Sequence, residues 1–200
     1  MKAPIETVER ELREMALKSG ACVFIKVAPS RIITAQWVRL KCQYGCKNYG
    51  TRLTCPPYSP TPDETRRVLD EYSVAYLVKY EGFLGIDGYP PQNLKASMHD
   101  LSLRICDTVA SMERHAFLSG YHKAFSYGAH KCVRCQDCVL KANPSSRTCN
   151  FAKLARPSLE AAGIDVFRTV ELAGLSIEIS PTKAVNCPEL LTTFTLLLLE

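Results

Sequence analysis

Apolar residues recur at helical spacing near the start of the chain. Ile5, Val8, Leu12 and Met15 share one face, Pro4 suits a first turn and Gly20 follows the end, so residues 4–18 read as an amphipathic helix. Ala21–Val27 is a short run rich in β-branched and aromatic residues and predicts a strand. Pro29 and Ser30 break it, and Arg31–Thr34 reads as a second short strand. Gln36–Lys41 suits a strand or a helix equally. Thr61-Pro62-Asp63-Glu64 is a capping box with proline in the first turn, which predicts a helix to about Tyr72 with Val68 and Leu69 inward. Ser73–Tyr80 is apolar on both faces, as a central strand requires, and the Gly/Pro-rich Glu81–Gln92 reads as a loop. Asn93–Leu118 keeps the helical period through Leu94, Met98, Leu101, Ile105, Val109, Met112 and Ala116, with Gly120 as a stop. Tyr121–Tyr127 predicts a strand that delivers the chain to Cys132. Arg156-Pro157-Ser158 opens a short helix ending at Gly163, followed by short apolar runs at Ile164–Val166 and Val170–Leu172 and by Ile177 and Ile179 in alternation. Thr192–Leu199 has the threonines and Phe194 of a strand but leucines that also suit a helix. The pattern gives an α/β (α+β) class: a mixed β-sheet with flanking helices in one domain, residues 1–200.

Cysteine spacing changes this picture most. Cys132, Cys135 and Cys138 stand at C-x2-C-x2-C, and Cys149 follows ten residues later. Structural zinc sites usually bring separate C-x2-C pairs from two loops. Three cysteines in succession at this spacing are typical of a cubane iron–sulfur run, although here the spacer to the fourth is long and no proline follows it. Upstream, Cys42, Cys46 and Cys55 offer three more thiolates, with Gly45 and Gly50 for curvature and Pro56-Pro57 at the exit. The expected metal loops are about 42–58 and 130–150, with a 4Fe–4S cluster as the expected cofactor and zinc as the alternative. Cys22 and Cys106 read as buried free thiols. Cys187, before Pro188, is a candidate fourth ligand for the upstream set. A cluster held by three thiolates keeps one iron open, which makes the upstream set the candidate catalytic site and the downstream set an electron relay.

Charge sharpens the partner question. The net charge is +5, but residues 39–58 and 130–156 together hold ten basic residues against Asp137 alone. A four-thiolate 4Fe–4S cluster carries roughly −2, so two would offset about four of those charges, leaving a basic rim suited to an acidic redox partner such as a flavoprotein or ferredoxin. His99 and His115 read as surface residues of the long helix, whereas His130, two residues before Cys132, is placed to replace a thiolate or to hydrogen-bond a cluster sulfur. Tyr44, Tyr49, Tyr58 and Tyr127 lie near the loops as packing that excludes water. No G-x-S-x-G, Walker A or dinucleotide fingerprint occurs. No apolar stretch is long enough to cross a membrane, the first residues lack a signal-peptide core, and clustered cysteines fit a reducing compartment, so a cytoplasmic protein is expected.

The run Val38–Cys42, Gly45-Cys46, Tyr49-Gly50 and Cys55-Pro56-Pro57-Tyr58 resembles the opening of an uncharacterised family of predicted metal-binding proteins, a domain of unknown function. The resemblance continues at Glu113-Arg114, Phe117, Gly120-Tyr121, the Cys132/Cys135/Cys138 run, Arg156–Glu160 and Gly163–Val166, and covers roughly residues 20–180. It implies iron–sulfur or other metal binding and supplies no reaction. Where that family often has Cys-Arg-His-Pro, this chain has Cys149-Asn150-Phe151-Ala152. The leading reading is therefore a 4Fe–4S protein with an electron-transfer or redox-accessory role. The alternatives are a zinc-stabilised module binding nucleic acid or protein, and an enzyme using an open-site cluster. Nucleic acid is the weaker partner, since no recognition-helix motif or RNA-binding signature is present.

Overall fold

A computed structural model describes residues 2–83, 94–177 and 190–200, without the side chains at 82–83, 94–97 and 190–191. Helix α1 (Ile5–Lys18) leads into strand β1 (Ala21–Val27), both where the sequence pattern places them. Helix α2 (Gln36–Gly45) resolves the ambiguous segment in favour of a helix. Helix α3 (Pro62–Leu69) starts at a complete capping box: Thr61 N–H donates to Glu64 Oε2 at 2.7 Å and Glu64 N–H to Thr61 Oγ1 at 3.3 Å. Strand β2 (Ala75–Phe83), helix α4 (Leu94–Leu118) and strand β3 (Phe125–Tyr127) follow. Short helices α5 (Val139–Ala142) and α6 (Val166–Leu172) precede strand β4 (Leu190–Leu198), so the leucine-rich end is a strand.

The fold is α+β. Among the described residues four strands run in the order β1-β2-β4-β3, and all three pairings are antiparallel in place of the expected mixed sheet. The physical reason is connectivity: the links between paired strands reverse direction and no crossover joins neighbours in parallel. Side chains alternate cleanly between two cores. Tyr76, Val78, Tyr80 and Leu197 pack on one face under α1 and α4, whereas Leu77, Phe194, Leu196 and Leu198 pack on the other with Leu69, Leu159, Ile164 and Val170.

Several local expectations are corrected. Arg31–Thr34 is no strand: a 3-10 turn, Pro29–Arg31, fills its start and Thr34 makes a lone bridge to Ile164. Only three residues of the predicted 121–127 strand pair, because Tyr121–Ala124 turns to clear the end of α4. Strand β2 runs on to Phe83 inside the expected loop, and the rest of that loop, Ile179 and Cys187 lie outside the described residues. Cys22 is exposed on β1, not buried, where it is the unpaired residue at a register shift between Ala21 and Val23, while Cys106 is buried on α4 as expected. Among the described residues no helix is long and apolar enough to cross a membrane.

Candidate metal centres

Helix α2 sets up the first centre. Cys42 occupies its last turn and Cys46 its C-cap, four residues on, so both thiols leave the same side of the helix. The chain then closes a loop in which Gly50 N–H donates to Pro56 O at 2.8 Å, with Gly50 in the left-handed region at φ 70°. Cys55 is brought back as a buried thiol. Cys42, Cys46 and Cys55 line one cavity of about 230 Å³, together with Asn48, Tyr49, Pro56, His130, Lys131, Ser158, Glu160 and Ala161. Asn48 Nδ2 stands 3.7 Å from Cys46 Sγ. Burial, then the neighbouring Cys46 thiol, push Cys55 up to about 11, and the same two causes raise Cys42.

Strand β3 delivers the second centre. Beyond Tyr127 the chain is tied to the segment after Cys149 by Gly128 N–H to Pro157 O at 2.8 Å. His130 then takes φ 58°, a left-handed conformation that costs an ordinary residue roughly 1–2 kcal/mol. Two hydroxyls hold it there. Ser102 Oγ gives its proton to Met98 O at 2.7 Å, so it accepts from His130 Nδ1 at 3.0 Å. His130 Nε2 therefore accepts from Thr193 Oγ1, also at 3.0 Å. Burial holds this imidazole below its usual range, opposed by the Glu160 charge. Both ring nitrogens are thus committed to hydroxyls, and His130 also lines the upstream cavity.

Past His130, Cys132, Cys135, Cys138 and Cys149 line a single pocket with Arg52, Leu53, Thr54 and Arg134. Its free space is about 20 Å³, close to that of one water, so loading a metal group requires these walls to move outward. The polar lining fits an anionic group nonetheless. Arg52 Nε, Arg134 Nε and Thr54 Oγ1 are buried there without a hydrogen-bond partner, a costly arrangement unless an acceptor arrives. Arg134 Nη2 stands 2.5 Å from Asp107 Oδ1, at ion-pair distance but out of hydrogen-bonding alignment. Burial is the first cause that raises Cys132 and Cys135, with the Cys149 thiol also contributing to each.

The two expected sets are each brought together, and the described cysteines are all free. Their thiols line pocket walls without converging on one point: among the described residues, no group of three or more His, Cys, Asp or Glu forms a ready single-ion site. The two pockets share their partition. Arg52-Leu53-Thr54 faces the downstream thiols while Cys55-Pro56 faces the upstream cavity, and His130-Lys131 passes to Cys132 in the same way. Arg52 Nη1 also reaches Cys135 O at 3.5 Å.

Spacing alone could not identify Arg52, Arg134 or Glu160, which are ordinary charged residues until the fold aims them. Cys106 is likewise closer to the chemistry than its isolation suggests, since after burial the Cys132 thiol is the next cause that raises it, to about 11. Of the tyrosines, Tyr49 lines the upstream cavity, Tyr58 lies under Arg147 with 5.0 Å to the ring centroid, and Tyr127 is core. Tyr44 is exposed and excludes no water from either pocket.

The chain is thus an α+β domain with an antiparallel sheet and two thiol-lined pockets. The chain belongs to the family described as "Predicted metal-binding protein (DUF2284)", whose model matches residues 25–199. No curated protein and no solved structure matches the chain.

Proposed function

We propose that the chain is a single-domain iron–sulfur protein with an electron-transfer role. A 4Fe–4S cluster would be held by Cys132, Cys135, Cys138 and Cys149, and a second centre by Cys42, Cys46 and Cys55. The observation that carries the reading is the conjunction of a C-x2-C-x2-C run with buried, unpartnered guanidinium N–H groups in the same pocket. Cluster sulfides and thiolates are the acceptors those groups lack, and N–H donors at sulfur tune a cluster's potential. A polynuclear group puts each thiolate on a different iron, so it suits thiols spread around a wall better than a lone tetrahedral ion does.

The shared partition favours a division of labour in which the downstream cluster relays electrons to the upstream centre, whose larger cavity suits a small substrate. Lys41, Lys47, Arg147 and Lys153 are exposed around the loops and favour an acidic redox partner. Free thiols at every described cysteine fit a cytoplasmic, reducing setting. Anaerobic purification tests the reading: a brown protein absorbing broadly near 400 nm, with matched iron and acid-labile sulfide, is expected. A colourless protein holding stoichiometric zinc refutes it in favour of a zinc-stabilised module.

A further inference from the structure

Among the described residues, three thiols and one carboxylate, that of Glu160, line the upstream cavity. The turn that carries Glu160 is fixed from several sides. Ala161 O accepts from Arg39 Nη1 at 3.0 Å and from Ser59 Oγ at 2.5 Å, and Ala162 O accepts from Thr65 Oγ1 at 2.6 Å. Ala161 N–H donates to Ser158 Oγ at 3.1 Å. Leu159, Ala161 and Ala162 are buried, which leaves Glu160 as the exposed residue of a rigid turn. The arginine beside it is already engaged: Arg39 Nη1 reaches Ser59 Oγ at 3.0 Å and Pro60 O at 3.2 Å as well as Ala161 O. Among the described residues no donor or cation pairs with the Glu160 carboxylate, whereas Glu113, Asp107 and Asp137 are all paired.

The carboxylate and the three thiols line one cavity without converging on a single point.

We propose that Glu160 is the fourth ligand of the upstream centre, giving it three thiolates and one carboxylate. The assignment rests on the iron–sulfur reading above and places at the fourth position a residue other than Cys187. A carboxylate is a harder ligand than thiolate, so the iron it holds is the exchangeable corner of the cluster and the place where a substrate would bind.

The test is Mössbauer and electron paramagnetic resonance spectroscopy on the full chain reconstituted with 57Fe and sulfide without oxygen. In the parent protein, one upstream iron should show the distinct parameters of oxygen ligation. Glu160→Cys should abolish that distinct iron while iron content stays unchanged. Glu160→Gln should leave the downstream cluster intact but convert the upstream one to a three-iron form on brief exposure to air. Cys187→Ala should match the parent. The assignment is overturned if Cys187→Ala alone produces the three-iron form, or if Glu160→Gln and Glu160→Cys both leave the spectra unchanged. Absence of iron from both centres in the parent would instead refute the iron–sulfur reading itself. Circular dichroism of each variant separates a lost ligand from a lost fold.

Discussion

Arg156 and Glu113 form a forked ion pair beneath the downstream loop: Arg156 Nε donates to Glu113 Oε2 at 2.8 Å, and Nη2 meets Oε1. Glu113 Oε2 also accepts Ser126 N–H at 2.8 Å, so one carboxylate fastens α4 to β3 and to the chain leaving Cys149. Both side chains are largely buried, at 13% and 15% exposure. Removing one partner from such a pair leaves an uncompensated charge and costs about 3–5 kcal/mol. Glu113→Ala should therefore lower the urea midpoint strongly, and Arg156→Met with Glu113→Leu should cost less than the single changes summed. Additive losses in denaturant titrations would mean that the pair is not coupled.

The orphaned guanidinium groups make a second prediction. A positive N–H donor stabilises the reduced, more negative form of a cluster more than the oxidised form, and so raises its potential. Arg52→Gln should then lower the downstream midpoint potential by roughly 60 mV, the one-electron equivalent of about 1.4 kcal/mol. Arg134→Gln should do less, because Asp107 already offsets part of its charge. Protein-film voltammetry reads both values, and an unchanged potential in Arg52→Gln would remove Arg52 from the cluster's surroundings.

What could be read in the sequence divides along physical lines. Segments fixed by local chemistry came through: the capping box at Thr61 and Glu64 and the strand at Ala21–Val27 stand where their residues require. Strand β4 shows the limit. Its leucines fit either structure, and only pairing with β2 and β3 decides. The cysteine sets were legible because their close spacing in sequence brings each set to one pocket. The basic excess around them was only half legible, since Asp107 and Glu113 come from α4 to neutralise Arg134 and Arg156 from far along the chain. Glu160 carries no spacing signal at all, because its place depends on contacts from Arg39, Ser59 and Thr65.

Metal loading should depend steeply on pH. Burial first, and neighbouring thiols after it, raise Cys42, Cys55, Cys132 and Cys135 above the ordinary thiol range, Cys55 to about 11. The ligand is the thiolate, so each of these groups stays protonated at neutral pH and must release its proton on binding. Affinity for metal should therefore rise from pH 6 to pH 8 by about one log unit per pH unit for each such thiol bound. Calorimetry in buffers of different ionisation enthalpy counts the protons, and a pH-independent affinity would contradict the raised thiols.

Salt should slow reduction by an acidic partner. The exposed Lys47 and Lys153 flank the two loops, and charges at such positions act mainly on encounter rate. Anaerobic stopped-flow with an acidic flavodoxin as electron donor should show a second-order rate that falls as ionic strength rises past about 0.1 M, where the Debye length is near 10 Å. Lys47→Glu with Lys153→Glu should lower the low-salt rate and flatten the salt dependence. A rate indifferent to both would exclude this basic rim as the docking face.

The last prediction concerns the support of the upstream centre. Gly163 ends the Glu160–Ala162 turn at φ 78°, where L side chains are strained. Its missing side chain also makes room for α3: a Cβ there would stand 2.9 Å from Pro62 Cα, which is backbone and cannot rotate away. The same contact holds the turn that presents Glu160 and accepts from Arg39. Gly163→Ala should therefore cost more than the roughly 1–2 kcal/mol of a left-handed alanine. It should also weaken upstream metal loading more than downstream loading, because the downstream ligands hang between β3 and Pro157, ahead of the turn that Gly163 ends. Gly174, also at positive φ but with open space around a Cβ, is the control: Gly174→Ala should carry only the backbone term. Thermal melts with iron and sulfide analysis of both variants decide the point, and equal losses in the two would show that the packing against Pro62 contributes nothing.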